Sequence, residues 1–216
     1  MMKKQKHPQK KLSICIVVGP MPFSWSVLRP YLKSPETQVF FVDGGLIHRE
    51  KFQKHAPHLL KNALSIGDGD SSKELMKIKK TDQNISDLAF FLQTIKGKKE
   101  IETYQFVGFL GGRLDHQLFN LGELSLFSKK LIGKIIPKIL MENKVEFLVA
   151  GTHQVNIDGN FSLGSFEVNR IKLSGHCLYQ SKKWLTLSPL SSRGLSNQGQ
   201  GLIKIETLAP LAIFYS

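Results

Sequence analysis

Apolar and polar positions alternate in two different rhythms along the chain. From Leu12 to Val18 the chain runs apolar, as in a strand buried on both faces. Gly19-Pro20-Met21-Pro22 breaks that run, and a helix or loop is expected as far as Lys33. Gln38 to Val42 reads as a second strand, ending at Asp43-Gly44-Gly45. Leu46 to Leu60 reads as helical or irregular, with Pro57 interrupting it. Ala63 to Ile66 is a third short strand, followed by Gly67-Asp68-Gly69-Asp70-Ser71, where Ser71 and Glu74 have the spacing of a capping box. Leu88, Phe91, Leu92 and Ile95 recur at helical spacing, and Lys96-Gly97-Lys98 is the expected stop. Ile101 to Phe109 is a further strand, and the helix after it runs to about Lys130. Strands alternating with helices predict a parallel sheet, whose ligands bind at the carboxyl ends of its strands.

After about Pro137 the helical spacing disappears. Val145 to Ala150, Gln154 to Ile157, Phe161 to Leu163, Phe166 to Leu173, Lys183 to Leu187 and Leu202 to Thr207 are short strand-like runs separated by turn signals. Leu208 to Tyr215 closes the chain. Asp158-Gly159 reads as a hairpin turn. A run of strands without helices predicts a β-sandwich. The expected organisation is a basic disordered tail over 1–11, a Rossmann-like α/β domain over 12–140 and a β-sandwich domain over 141–216.

Composition adds little to this picture and charge adds more. Of 216 residues 41% are hydrophobic and 22% charged, as in an ordinary soluble protein. No apolar run approaches the ~20 residues that span a bilayer. Lys3 to Lys11 followed by Leu12 to Val18 superficially matches a secretion signal. The apolar run is short and no small-x-small cleavage site follows, so a tail and a first strand are the expectation. Cys15 and Cys177 lie far apart in apolar surroundings and read as reduced packing residues of a cytoplasmic protein. The net charge of +13 favours anionic partners. The lysines are spread through several loops, however, and no nucleic-acid-binding fingerprint is present, so nucleic acid is not the expected partner.

The acids carry the candidate chemistry. Six of the seven aspartates (Asp43, Asp68, Asp70, Asp82, Asp87 and Asp115) sit in polar or glycine-bearing stretches at the ends of apolar runs. In a basic protein that grouping points to carboxylates gathered around a cation. Asp68-Gly69-Asp70 fits two readings: carboxylates facing one hard cation such as magnesium, or an ordinary surface turn. Asp82 to Asp87 also fits a helix cap, with Ser86 or Asn84 as the cap and Asp87 in the first turn. Gly111-Gly112-Arg113-Leu114-Asp115-His116 joins a strand to a helix. Its glycines and helix start could cradle phosphate with Arg113 forking onto it, or Asp115 could simply cap the helix. No zinc spacing, nucleophile elbow, Walker loop or GxGxxG is present.

Taken in order, Val42-Asp43-Gly44-Gly45, Ile66-Gly67-Asp68-Gly69-Asp70-Ser71, Asp82-Gln83-x-x-Ser86-Asp87, Gly111-Gly112-Arg113-Leu114-Asp115-His116 and Gly194-Leu195-Ser196-Asn197-Gln198 resemble the thiamine pyrophosphokinase family, from about Val17 to the C-terminus. The resemblance implies an α/β domain, then a β-sandwich, and a homodimer with active sites between subunits. It implies magnesium-dependent transfer of diphosphate from ATP to the hydroxyl of thiamine, giving AMP and thiamine diphosphate. Carried over by position, it makes Asp68, Asp70 and Asp115 metal-binding and catalytic. Asp43, Gly44, Gly45, Gln83, Asp87, Gly112 and Arg113 become nucleotide-binding, and Ser196 and Asn197 substrate-binding. The chain departs from the family pattern at Gly69, usually aromatic, at Gln198, usually Glu, at Leu46-Ile47, usually Ala-Asn, and at Ala209-Pro210, where a glycine is usual. Three other readings remain: diphosphate transfer to another alcohol such as a pterin, a catalytically weak homologue that binds nucleotide or thiamine diphosphate, and a basic nucleic-acid-binding protein, whose affinity would depend steeply on salt.

Overall fold

The structure is a computed structural model that describes residues 14–70, 76–95, 101–131 and 136–216. The basic tail, the Ser71–Glu74 spacing and the Lys96-Gly97-Lys98 stop lie outside the described residues.

The first half is an α/β unit. β1 (Ile14–Val18), β2 (Thr37–Val42), β3 (Leu64–Gly67), β4 (Ile78–Lys79), β5 (Thr103–Val107) and β6 (Lys138–Met141) are all parallel, in the order 6-5-1-2-3-4. β4 is an edge strand that the sequence reading did not separate from the loop around it. The side chains of β1 alternate, as a strand requires. Cys15 and Val17 join Phe40, Val42, Phe106 and the inner faces of α3 (Asp87–Thr94) and α4 (Leu114–Lys129). Ile16 and Val18 join Val39, Phe41 and Val107 under α1 (Arg49–His55) and α2 (Pro57–Leu60). Pro57 opens α2 at its first position, where no N–H is needed, so the expected interruption is a junction between two helices.

The expected division at residue 141 is not a break in the sheet. β6 pairs with β5 on one side and with β7 (Val145–Leu148) on the other. The ladder continues through β12 (Leu211–Tyr215), β8 (Gly151–Gly164), β11 (Asn197–Thr207) and β9 (Asn169–Cys177) to β10 (Ser181–Leu187), all antiparallel. The result is one sheet of twelve strands where a separate sandwich was expected. β7 and β12 explain the continuity, because they are buried on both faces. Val145, Phe147 and Ala212 complete the α/β core, while Leu148, Leu211 and Ile213 face a second core with Ile157, Phe161, Ile171 and Ile203. Asp158-Gly159 is not a hairpin turn. It lies inside β8, where Gly159 pairs with Gly199 of β11 at φ +115°. The pairing runs through this glycine pair without a register shift, so the chain does not turn there.

Candidate active site

Three aspartates converge at the carboxyl ends of β2 and β3. Asp43 follows β2, Asp68 follows β3 and Asp87 opens α3, and one carboxylate oxygen from each lies within 4.8 Å of the other two. Asp43 is buried and takes a left-handed conformation, φ +40°, which Asp tolerates better than most residues. Ser86 caps α3, its Oγ accepting the Ala89 N–H at 3.1 Å, and this holds Asp87 in the first turn, where the helix dipole favours a carboxylate. Gly67 makes the convergence possible. A Cβ there would meet the Asp43 Cβ at 2.9 Å and Asp87 Oδ1 at 3.2 Å.

Donors compensate the crowding. Three successive backbone N–H groups each donate to a different carboxylate at 3.2 Å: Asp68 to Asp87, Gly69 to Asp43 and Asp70 to Asp68. Lys80, which the sequence reading missed, supplies the positive charge. Its side chain is only 4% exposed, and Nζ stands 3.3 Å from Asp68 Oδ2, 3.2 Å from Asp87 Oδ1 and 2.9 Å from the Ile85 carbonyl. The Asp70 N–H is the main reason the Asp68 carboxyl lies below its ordinary range, with Lys80 and Gln83 adding to it. Burial pushes Asp87 up, and the neighbouring Asp68 and Asp43 charges add to that against the pull of Lys80. Burial works against the Lys80 ammonium too, but Asp87 and Asp68 outweigh it and hold its pKa above the ordinary lysine value.

The remaining candidate residues divide into those near this cluster and those away from it. Gly44 and Gly45 form the turn that carries Asp43, and a Cβ on Gly45 would strike the Val18 carbonyl at 2.0 Å. Asp70 and Gln83 are exposed beside Asp68. Asp115 is exposed at the start of α4 and pairs with Arg113 through Oδ2 at 2.5 Å. Arg113 holds the Asp115 carboxyl below its ordinary range, and Asp115 raises the guanidinium in return. Gly112 lies against Met21, whose sulfur would be 2.7 Å from an added Cβ. In the glycine-rich turn the first three N–H groups are already engaged. Those of Gly108, Phe109 and Leu110 donate to Glu142 Oε1 at 2.9, 3.3 and 3.3 Å. Any anion at this turn must therefore use the later N–H groups and Arg113.

Ser196 and Asn197 are not brought to the aspartates along the sheet. Six strands separate β11 from β2, or roughly 34 Å at ~4.8 Å per strand. Asn197 is buried, and its amide is closed on the Tyr179 backbone: Nδ2 donates to the carbonyl at 2.8 Å and Oδ1 accepts the N–H at 3.0 Å. Ser196 is exposed at φ +60°, its N–H donating to Ser162 Oγ at 3.1 Å.

Hard carboxylate oxygens at this spacing fit a small divalent cation, and such a cation at the ends of parallel strands can neutralise a polyphosphate. No sequence-family model matches the chain, and no curated protein does. Solved structures do match it. The thiamine pyrophosphokinase of Bacillus subtilis aligns with a TM-score of 0.66 at 18% identity, over 94% of this chain and 99% of its own. That of Candida albicans aligns with a TM-score of 0.69 at 12% identity, over 93% and 88%. The yeast thiamin pyrophosphokinase aligns with a TM-score of 0.61 at 15% identity, over 96% and 87%. Across nearly its whole length, therefore, this chain has the fold of the thiamine pyrophosphokinases.

Proposed function

We propose that the chain is a magnesium-dependent thiamine diphosphokinase. It transfers diphosphate from ATP to the hydroxyl of thiamine and releases thiamine diphosphate and AMP. The observation that carries this reading is the convergence of Asp43, Asp68 and Asp87 at the strand ends of this particular fold. Magnesium bound there would supply charge neutralisation on the phosphates. The hydroxyl oxygen bonds to the β-phosphorus as the link to the α-phosphate breaks, and AMP leaves. Such transfers depend on positioning and charge more than on a protein nucleophile. An aspartate of this cluster would take the hydroxyl proton. Arg113 would release Asp115 to fork onto phosphate, leaving Asp115 and the exposed Asp70 to complete the ligands from the solvent side.

The same reading assigns nucleotide binding to the α/β half and thiamine binding to the later strands. It makes the molecule a homodimer, so that Ser196 and the 178–180 turn of one protomer meet the aspartates of its partner. The exposed side chains of Ile47, in the turn after Asp43, and of Leu114, Leu118 and Phe119 on α4 support a partner surface. None of the described helices is long and apolar enough to cross a membrane. A second reading, a catalytically weak nucleotide-binding homologue, is favoured by one observation: an ammonium already spans Asp68 and Asp87. Incubation with ATP, magnesium and thiamine separates them. Formation of AMP and thiamine diphosphate supports the enzyme. AMP formed only with another alcohol moves the acceptor, and bound nucleotide without turnover supports the homologue.

A further inference from the structure

We infer that Lys80 is a tethered cation that competes with the divalent ion for Asp68 and Asp87, and so sets how tightly the site holds metal. The inference rests on the reading of the three aspartates as a divalent-cation site. Its physical basis is an accounting of donors and acceptors. An ammonium has three N–H donors, and Lys80 has three acceptors within reach: Asp68 Oδ2, Asp87 Oδ1 and the Ile85 carbonyl. Asp68 Oδ1 and Asp43 Oδ1 meanwhile accept backbone N–H groups, and Asp87 Oδ1 accepts the Asp68 N–H besides facing Lys80. A divalent ion that takes Asp68 Oδ2 or Asp87 Oδ1 must therefore displace Lys80, and one held by the other oxygens of the cluster still lies beside its charge.

The chain builds this arrangement deliberately at one place. Lys80 follows the two-residue strand β4, and its N–H donates to the Gly67 carbonyl at 2.8 Å. That bond fixes Lys80 opposite the glycine that lets the aspartates meet. Three carboxylates packed without a cation would repel one another in a partly buried setting, and Lys80 removes part of that repulsion before any metal arrives. The same charge repels an arriving divalent ion. Lys80 thus keeps the site assembled and lowers its affinity for metal together.

Manganese binding measured by electron paramagnetic resonance, without nucleotide, tests this directly on the full chain. Lys80→Met removes the charge and keeps much of the side-chain volume. It is expected to bind Mn²⁺ at least about tenfold more tightly than the wild type, since a unit charge a few ångströms from the ion has been removed. Its melting temperature without metal should fall, and the rise on adding Mn²⁺ should exceed that of the wild type. Lys80→Gln, which keeps a donor for the Ile85 carbonyl, guards against a folding failure and should show the same direction. Equal or weaker Mn²⁺ binding in both variants overturns the inference, as does absence of binding in all three proteins. Turnover of thiamine by the wild type with unchanged metal affinity in the variants would remove the role of Lys80 alone. Tighter metal binding without any turnover would remove the proposed reaction and leave Lys80 in place.

Discussion

Glu142 Oε1 accepts the backbone N–H of Gly108 at 2.9 Å, across 34 residues of chain. The same oxygen takes the next two N–H groups, and the residue is 9% exposed. Glu142 holds this position at φ +52°, a left-handed conformation that costs a glutamate conformational energy. The hydrogen bonds offset that cost and fix the turn that leads into α4. Glu142→Ala should therefore lower stability by about 2–3 kcal/mol, because buried N–H donors lose their acceptor. Glu142→Gln keeps a carbonyl oxygen and should lose less. Urea unfolding of the two variants measures the difference.

Asn197 offers a sharper separation between structure and substrate. Both polar atoms of its amide are committed to Tyr179, and Oδ1 also accepts the Gln198 N–H at 2.8 Å. Asn197→Ala should cost about 1–3 kcal/mol in unfolding free energy. Amide exchange should rise at Leu178 to Gln180, the turn it holds. A variant that changed only the KM for thiamine, with stability intact, would restore the direct substrate contact that the sequence resemblance implies.

The two variants mark the limit of what the chain discloses without its fold. The alternation of apolar runs and helical spacing was sufficient to locate β1, β2, β3, β5, α3 and α4, because each buries a regular face. The aspartates at strand ends were legible for the same reason. Lys80 was not, since Lys79-Lys80-Thr81-Asp82 reads as a solvated stretch. The one available signal was parity: Lys80 lies two residues after Ile78, and only Lys79 between them is exposed. Glu142 was equally hidden, because its partners lie 32 to 34 residues away and nothing local marks the contact. The continuity of the sheet past residue 141 was missed because β7 and β12 read as two more short strands of the later run, and nothing local marks that β7 pairs with β6.

His48 gives the site a pH-dependent support. It sits in the turn after Asp43, edge-on to the Phe23 ring at 4.9 Å between centroids, and its Nε2–H donates to the Met21 carbonyl at 3.1 Å. Burial lowers its pKa from the ordinary 6.5, outweighing the carbonyl contacts that act the other way. The unfolded chain therefore takes up this proton before the folded chain does. Stability conferred by the neutral ring is complete above about pH 6.5 and is lost as pH falls below it towards the folded value. Urea midpoints at pH 7.5 and 5.5 should differ more for the wild type than for His48→Gln, which keeps a donor and cannot titrate. Equal differences would remove His48 from this role.

Asp43 separates charge from shape within the aspartate cluster. Its side chain accepts the Gly69 N–H, and its backbone is left-handed, so alanine fails twice: it loses the acceptor and strains at positive φ. Asparagine keeps an oxygen for Gly69, tolerates the same φ and removes one negative charge. Asp43→Asn should therefore fold as stably as the wild type without metal or slightly more so, because like charges within 4.8 Å no longer all repel. Asp43→Ala should be less stable by about 1–3 kcal/mol. Both should lose magnesium-dependent turnover by about a hundredfold or more, as the removal of one electrostatic partner of a transition state does. Thermal melts with and without magnesium, read beside AMP formation, check both halves. An asparagine variant that kept its turnover would show that Asp43 serves the loop and not the reacting phosphates. One that melted early would show that its charge, and not its shape, holds Gly69 in place.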